Sequence, residues 1–388
     1  MKMIPYGRQD ISEEDIEAVV KVLRSDYLTQ GMTVTRFEKR VSEYCKVNYA
    51  VAVNSATSAL HIACLALGVE PGDIVWTSPI TFVASANCAL YCGASIDFVD
   101  IDPLSGNMCV ETLGSKLSYA EKIGKLPKVV IPVHLAGNSC DMQKIYELSK
   151  RYGFKVIEDA SHAVGGRYND TSVGSCTYSD ITVFSFHPVK IITTGEGGMA
   201  TTNNETYAAQ MNLLRSHGVT RDEDLMVGPS DGAWYYEQIA LGFNFRMTDL
   251  QAALGLSQMN RLDNFVSIRH KIANRYSRLL QKLPITLPFC NHDRYSSFHL
   301  YVIRVQSDNT GLRHRKIFEF MRNASIGVNV HYIPVYLQPY YSSLGFDPGY
   351  CPEAEKYYTQ AISLPIYPTL GIEQQRHIIS VLSQAVLL

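Results

Sequence analysis

The residues of this chain whose types suggest chemistry are a lysine among apolar neighbours, a carboxylate at a strand end and a run of small hydroxyl residues before a helix. The lysine is Lys190, within Ser185-Phe186-His187-Pro188-Val189-Lys190-Ile191-Ile192-Thr193-Thr194-Gly195-Glu196-Gly197-Gly198. The pattern predicts a strand ending at Ser185, a turn carrying the lysine, and then a glycine-rich reversal. Apolar surroundings disfavour an ammonium ion, which suits a Schiff-base nucleophile. A loop lysine is more often simply solvated, so this segment alone does not establish catalysis.

The second segment is Lys155-Val156-Ile157-Glu158-Asp159-Ala160-Ser161-His162. It places a carboxylate where a parallel strand should end, the usual ligand edge of such sheets. Enzymes that use pyridoxal phosphate (PLP) need an acid on the pyridine nitrogen as well as a Schiff-base lysine. Asp159 and Lys190, on what read as adjacent strands, supply both. Taken singly, Asp159 could cap a turn and His162 could be a satisfied core histidine.

The third segment, Asn54-Ser55-Ala56-Thr57-Ser58-Ala59, follows a strand and opens a helix, where backbone amides favour anions. Serine and threonine also cap helices that bind nothing, so the motif is weak alone. Phe82 opens the next helix and could stack on an aromatic cofactor, although core packing is its default role. Gly195-Glu196-Gly197-Gly198-Met199-Ala200 formally fits a dinucleotide fingerprint. Its context does not: Thr201-Thr202-Asn203-Asn204 ends a strand, and Arg215-Ser216-His217-Gly218 stands where an acidic residue is required.

The elements that must position these groups alternate from Tyr49 to about Thr202. Strands are expected at Tyr49–Val53, Asp73–Thr77, Ser95–Asp100, Lys128–His134, Lys155–Ile157 and Asp180–Phe186. Helices are expected near Thr57–Gly68, Phe82–Tyr91 and Asp141–Tyr152, the last with Asp141 as N-cap. Several strands are apolar on both faces, as in a sheet covered by helices on each side. After about Thr248 come long helices at Asp249–Arg261 and on to Leu283, then a strand at Phe298–Val305 and a helix near Lys316–Arg322. A strand near Gly327–Tyr332 and a helix at Ile372–Ala385 complete a smaller α/β unit. The first forty residues hold one helix, Glu13–Leu23, and an extended arm. The expected division is 1–255, arm and large unit, and 256–388, small unit.

Composition bounds the possibilities. The 388 residues carry 35 Lys+Arg against 37 Asp+Glu, a net charge of −2, and are 46% hydrophobic and 19% charged. That is a globular composition without the basic footprint of sequence-independent nucleic-acid binding. No apolar run reaches the ~18 residues of a membrane span, and the start from Met1 to Arg8 lacks a signal-peptide core. A soluble, cytoplasmic protein is expected. The nine cysteines form no disulfide framework. Cys88 and Cys92 lack the further ligands of a zinc site, so free thiols and no metal are expected.

Taken together, the three segments resemble the DegT/DnrJ-type sugar aminotransferases. Leu28-Thr29-Gln30-Gly31, Arg215-Ser216-His217-Gly218 and Gly242-Phe243-Asn244-Phe245-Arg246-Met247-Thr248-Asp249 extend the match over nearly the whole chain. Ile4-Pro5-Tyr6-Gly7-Arg8-Gln9-Asp10 and Val330-His331-Tyr332-Ile333-Pro334-Val335-Tyr336 look most like the pseudaminic acid branch. The resemblance implies an α/β, type I PLP-dependent transferase fold, aspartate-aminotransferase-like, with a large, mostly parallel mixed sheet and a smaller C-terminal unit. It implies that Lys190 forms the Schiff base and moves protons, Asp159 meets the pyridine nitrogen, His162 lies near the ring hydroxyl and Phe82 stacks. Ala56, Thr57 and Ser185 would hold the phosphate together with Asn244 of the partner subunit, making the site composite and a homodimer obligatory.

Substrate contacts would come from Tyr6, Asp26, Tyr27, Leu28, Thr29, Asn329, Val330, His331 and Tyr332, with Ala56, Ser185 and Asn244 shared. The implied reaction moves an amino group from L-glutamate to carbon 4 of a UDP-linked 4-keto-6-deoxy-N-acetylhexosamine. Alternatives are another nucleotide 4-ketosugar, of the bacillosamine or perosamine type, or a non-catalytic PLP-fold binding protein. The last predicts loss of the Lys–Asp pair, and both residues are present. From Tyr336 onward the tyrosines are expected to pack rather than bind.

Overall fold

The computed structural model describes residues 3–306 and 312–387. Met1 and Lys2, part of the start read for a leader, lie outside the described residues. The runs read as strands between Tyr49 and Phe186 pair into one sheet. Its strands are β1 (Tyr49–Val53), β2 (Ile74–Thr77), β3 (Ser95–Phe98), β4 (Val129–Ile131), β5 (Lys155–Asp159), β6 (Ile181–Ser185) and β7 (Gly198–Thr202). They lie in the order β1-β7-β6-β5-β4-β2-β3. From β3 to β6 the pairing is parallel, whereas β7 is antiparallel to both β6 and β1. Two antiparallel steps leave β1 running in the direction of β6. The chain therefore leaves β1, β5 and β6 at one edge of the sheet and re-enters β7 there.

Alternate side chains of these strands enter different cores, as the period of two requires. Val51, Val53, Ile181 and Val183 pack with helices α3 (Ala56–Ala66), α4 (Ala84–Tyr91) and α7 (Glu205–Arg215). Ala52, Phe184 and Met199 pack instead with α2 (Met32–Cys45) and α8 (Asp249–Met259). Further along the sheet, Trp76, Val130 and Val156 meet α5 (Val110–Lys122) and α6 (Met142–Tyr152). Each buried Val, Ile or Phe contributes about 1.5–3 kcal/mol relative to exposure. Burial on both faces accounts for strands that read as continuous apolar runs.

A smaller antiparallel sheet joins β8 (Ile285–Thr286), β9 (Tyr301–Val305) and β10 (Ala361–Leu364). Its core draws on α9 (Leu262–Leu280), α10 (Leu312–Asn323) and α11 (Ile372–Ala385). Ile4 belongs to that core and bridges Ile326, so the N-terminal arm is fastened to the far end of the chain. Conversely Val335, Tyr336, Tyr341 and Tyr357 join the core of the large sheet. Tyr336 and Tyr341 are buried as packing residues, while Tyr340 is exposed.

Three local expectations are corrected. The first forty residues contain not one helix but the start of a second, α2 at Met32. Its N-terminus is capped from a distance: Gly31, Thr33 and Val34 donate backbone N–H groups to the Asp249 carboxylate at 2.6, 2.9 and 3.2 Å. Residues 327–332 are not a strand; only Asn329 bridges Ser363. Asn329 N–H and Ser363 N–H bond each other's carbonyls there, and the following residues turn to line the cavity described below. Asp141 occupies the N-cap of α6, and its carbonyl accepts the Ile145 N–H, but its side chain accepts no helix N–H. Its carboxylate instead accepts the Tyr168 hydroxyl at 2.8 Å.

No helix among the described residues is long and apolar enough to cross a membrane. The nine cysteines are free thiols, mostly buried.

Candidate active site

At the sheet edge where β1, β5 and β6 end lies a cavity of about 660 Å³. Residues that line it include Tyr6, Ala56, Thr57, Phe82, Asp159, His162, Ser185, Lys190, Asn329, Val330, His331 and Tyr332. Ala56, Asp159, Ser185 and Lys190, far apart in sequence, meet here because the strands before them end together.

Asp159 closes β5 and is only 4% exposed. Its backbone is clamped on both sides: Asp159 N–H donates to Pro132, and its carbonyl accepts from His134 N–H. The carboxylate accepts the Ser161 N–H at 3.0 Å and the Ser85 hydroxyl at 2.5 Å. Thr81 lies 2.7 Å from Ser85, so its hydroxyl can donate in turn to Ser85 Oγ. The neighbouring Glu158 points to the other face, as strand alternation demands. There it meets His134 at 2.7 Å and accepts hydroxyls from Ser179 and Thr182. Burial raises the Glu158 pKa, but hydrogen bonds from His134 and the hydroxyls more than offset it and hold it below its ordinary value. Adjacent carboxylates thus serve different ends, one facing the cavity and one tying the β4 and β5 ends together.

Lys190 lies in the turn after β6, its N–H bonded to the His187 carbonyl at 2.9 Å. Burial lowers its pKa to about 8, although Asp159 pulls the other way. Such a lysine offers a sizeable free-amine fraction near neutrality, as a carbonyl-directed nucleophile requires. The N-terminus of α3 opens on the cavity, where its backbone amides favour an anion. Ser55 is its N-cap and accepts the Ser58 N–H at 3.1 Å, while Ala56, Thr57 and Ser185 line the cavity. Gly198 makes this approach possible: a Cβ there would stand 2.5–2.6 Å from Ser55 and Ala56 backbone atoms. The strand that follows confirms that Gly195–Ala200 is no dinucleotide turn.

Residues 9–383 match the DegT/DnrJ/EryC1/StrS aminotransferase family. The chain belongs to that family. It is 38% identical to the spore coat polysaccharide biosynthesis protein SpsC of Bacillus subtilis over 371 residues, covering 95% of this chain and 93% of the relative. Identity is 37% to the UDP-4-amino-4,6-dideoxy-N-acetyl-β-L-altrosamine transaminase of Campylobacter jejuni over 379 residues, 97% of this chain and 96% of that one. Among solved structures, Helicobacter pylori PseC, an aminotransferase of pseudaminic acid biosynthesis, superposes with a TM-score of 0.90 at 32% identity, covering 100% of both chains. The fold is the type I PLP-dependent transferase fold, and the protein is an aminotransferase.

The remaining wall of the aminotransferase cavity comes from irregular backbone. His162 accepts the Ala136 N–H on Nδ1, which assigns its proton to Nε2; Nε2 lies 3.1 Å from the Tyr332 hydroxyl. His331 Nδ1 meets the Ser363 hydroxyl at 2.7 Å. Burial, aided by Lys190, holds His162 well below its ordinary pKa and lowers His331 to about 3. These imidazoles are therefore neutral.

The structure also shows what sequence reading missed. Thr81 and Ser85 behind Asp159, and His299 beside His162, carried no motif. Only the hydroxyl-rich stretch from Ser78 to Ser85 hinted at the first pair. Phe82 is not core: it is 61% exposed, at the cavity. Asp26, Tyr27, Leu28, Thr29 and Asn244 are exposed and do not line the cavity of their own chain. Among the described residues no cluster of His, Cys, Asp or Glu could hold a metal ion.

Proposed function

We propose that this aminotransferase uses PLP to move an amino group from L-glutamate to carbon 4 of a UDP-linked 4-keto-6-deoxy-N-acetylhexosamine. The product would be UDP-4-amino-4,6-dideoxy-N-acetyl-β-L-altrosamine. The supporting observation is the meeting of Lys190, Asp159 and the α3 N-terminus around one cavity. A nucleophilic amine, a carboxylate and an anion-binding helix end are the donor set that a phosphorylated pyridine aldehyde requires.

When bound, PLP supplies an electron sink that stabilises the carbanion beside the transferring nitrogen. The protein's own groups then have distinct tasks. Asp159, held by Ser85 and Ser161, keeps a proton on the pyridine nitrogen. Ala56, Thr57 and Ser185 hold the phosphate, His162 neighbours the ring hydroxyl and Phe82 covers a ring face. Lys190 Nζ would hold the cofactor's carbonyl carbon; once the donor's amine takes that place, the freed Lys190 amine would remove the proton from the donor's amino-bearing carbon and then give one up, a general base followed by a general acid. Tyr6, Asn329, Val330, His331 and Tyr332 contact the sugar.

Asp26, Tyr27, Leu28, Thr29 and Asn244 act in the neighbouring cavity of a homodimer, so that each site is completed by Asn244 of the partner subunit. Their exposure, together with that of Trp234 and Leu241, supports that arrangement. The separate large and small sheets support a two-unit division, proposed at residues 1–255 and 256–388.

The 37% and 38% identities are to proteins with different named roles, so the sugar must be tested directly. The purified protein is supplied with PLP, L-glutamate and, in parallel, 4-keto-6-deoxy sugars linked to UDP or GDP. The product is identified by mass spectrometry and NMR. Amination of the L-altrosamine precursor at carbon 4 is expected. Faster turnover of a bacillosamine- or perosamine-type precursor would overturn the sugar assignment while leaving the chemistry.

A further inference from the structure

His299 is a nitrogen-bearing side chain of the cavity that the chemistry above leaves unused. It is 4% exposed, lines the cavity and has its ring centre 4.4 Å from that of His162. Its Nδ1 is buried without a hydrogen-bond partner. A proton on Nδ1 would be stranded without an acceptor, so the ring carries its proton on Nε2. Burial first, and then His162 and Lys190, hold the pKa well below the ordinary histidine value. The result is a neutral N–H donor at the cavity wall.

This donor is rigidly built. Arg269, itself 1% exposed, spends one terminal nitrogen on the carbonyls of Phe298, His299 and Ile366, at 3.2, 3.3 and 2.9 Å. Ser297 donates its hydroxyl to the His162 carbonyl at 2.7 Å and its N–H to Gly137. Leu300 N–H bonds the Ala136 carbonyl. The segment bearing His299 is thereby strapped to the segments bearing His162 and the β4 end.

Charge indicates what such a donor would hold. Lys190 is the one side chain of lysine or arginine among the described residues lining the cavity, against Asp159 and Glu196 as carboxylates. An amino-donor dicarboxylate entering there must find hydrogen-bond donors, because an unpaired buried carboxylate is strongly disfavoured. We infer that His299 is a substrate-binding residue whose Nε2–H holds a carboxylate of the amino donor, an inference that rests on the aminotransferase chemistry proposed above. A neutral donor suits a site that must next admit an uncharged part of a sugar. A fixed guanidinium would be left buried and unpaired in that half of the cycle.

The test compares wild type, His299→Phe and His299→Gln as cofactor-loaded proteins. Glutarate, a dicarboxylate without an amino or keto group, is titrated calorimetrically, and glutamate-driven loss of the cofactor's visible absorbance is followed separately. His299→Phe should weaken glutarate binding and raise the glutamate concentration for half-maximal rate about tenfold, the size of one hydrogen bond to a charged group. His299→Gln, which keeps an N–H donor, should recover part of that loss. The cofactor's absorbance and the thermal midpoint should stay as in wild type. Unchanged glutarate affinity in His299→Phe would overturn the inference, as would a loss confined to cofactor binding or folding. Wild-type protein that takes no amino group from glutamate would remove the proposed donor chemistry and this inference together.

Discussion

The two walls of the cavity are built on different principles. One comes from the large sheet: α3 after β1, Asp159 at the end of β5, and Ser185 to Lys190 after β6. Its groups emerge from regular strands within a few residues of their ends. The other comes from Tyr6, His299 and residues 329–333, where the backbone is irregular and held by side chains. The first wall carries reactive and charged groups, and the second carries buried neutral donors. Regular strand ends place charge reproducibly, whereas irregular segments can be reshaped for a ligand without disturbing the sheet.

Removing Lys190 would test that contrast most severely. Lys190→Ala should lower kcat by at least about 10³-fold, within the range of lost general acid–base catalysis. It should also abolish the visible absorbance of the lysine–PLP Schiff base. Near-normal turnover, or a persisting Schiff-base absorbance, would remove the first wall's chemical role.

A smaller effect follows from the lysine's environment. The free amine is the nucleophile and its pKa is lowered to about 8, so its reactive fraction rises with pH and levels off above that value. The rate at which apo-protein captures PLP should climb about tenfold per pH unit below it. Stopped-flow absorbance between pH 6 and 10 checks this. A climb that continues towards the 10.5 of an ordinary lysine would show that burial does not tune the group.

The second wall should respond least. Tyr332→Phe removes the hydroxyl 3.1 Å from His162 Nε2 and should cost about 0.5–1.5 kcal/mol, the net worth of one neutral hydrogen bond. The loss should appear mainly in KM for the sugar, measured by steady-state kinetics. A fall in kcat as large as that of Lys190→Ala would erase the distinction between the walls.

Legibility in the sequence follows the same division. β1 and helices α1 (Glu13–Leu23) and α11 lie where periodicity placed them, and Asp159, Lys190 and Ala56 line one cavity. The expected strand at 327–332 failed because its alternating apolar residues are those of a segment that bends into the cavity. Phe82 was legible only through the family resemblance, because aromatic type alone cannot distinguish a buried ring from the exposed one found at the cavity.

By itself the sequence determined the α/β order, the faces of the strands and the chemistry gathered at their ends. Those features depend on period-two alternation and on residues within one short segment. Only the tertiary structure decided that Asp249 caps α2 across 218 positions from Gly31, and that Asn244 and residues 26–29 lie outside their own chain's cavity. It alone decided that Arg269 and Ser297 lock His299 beside His162. Those placements arise from hydrogen bonds between distant segments, which leave no periodic trace along the chain.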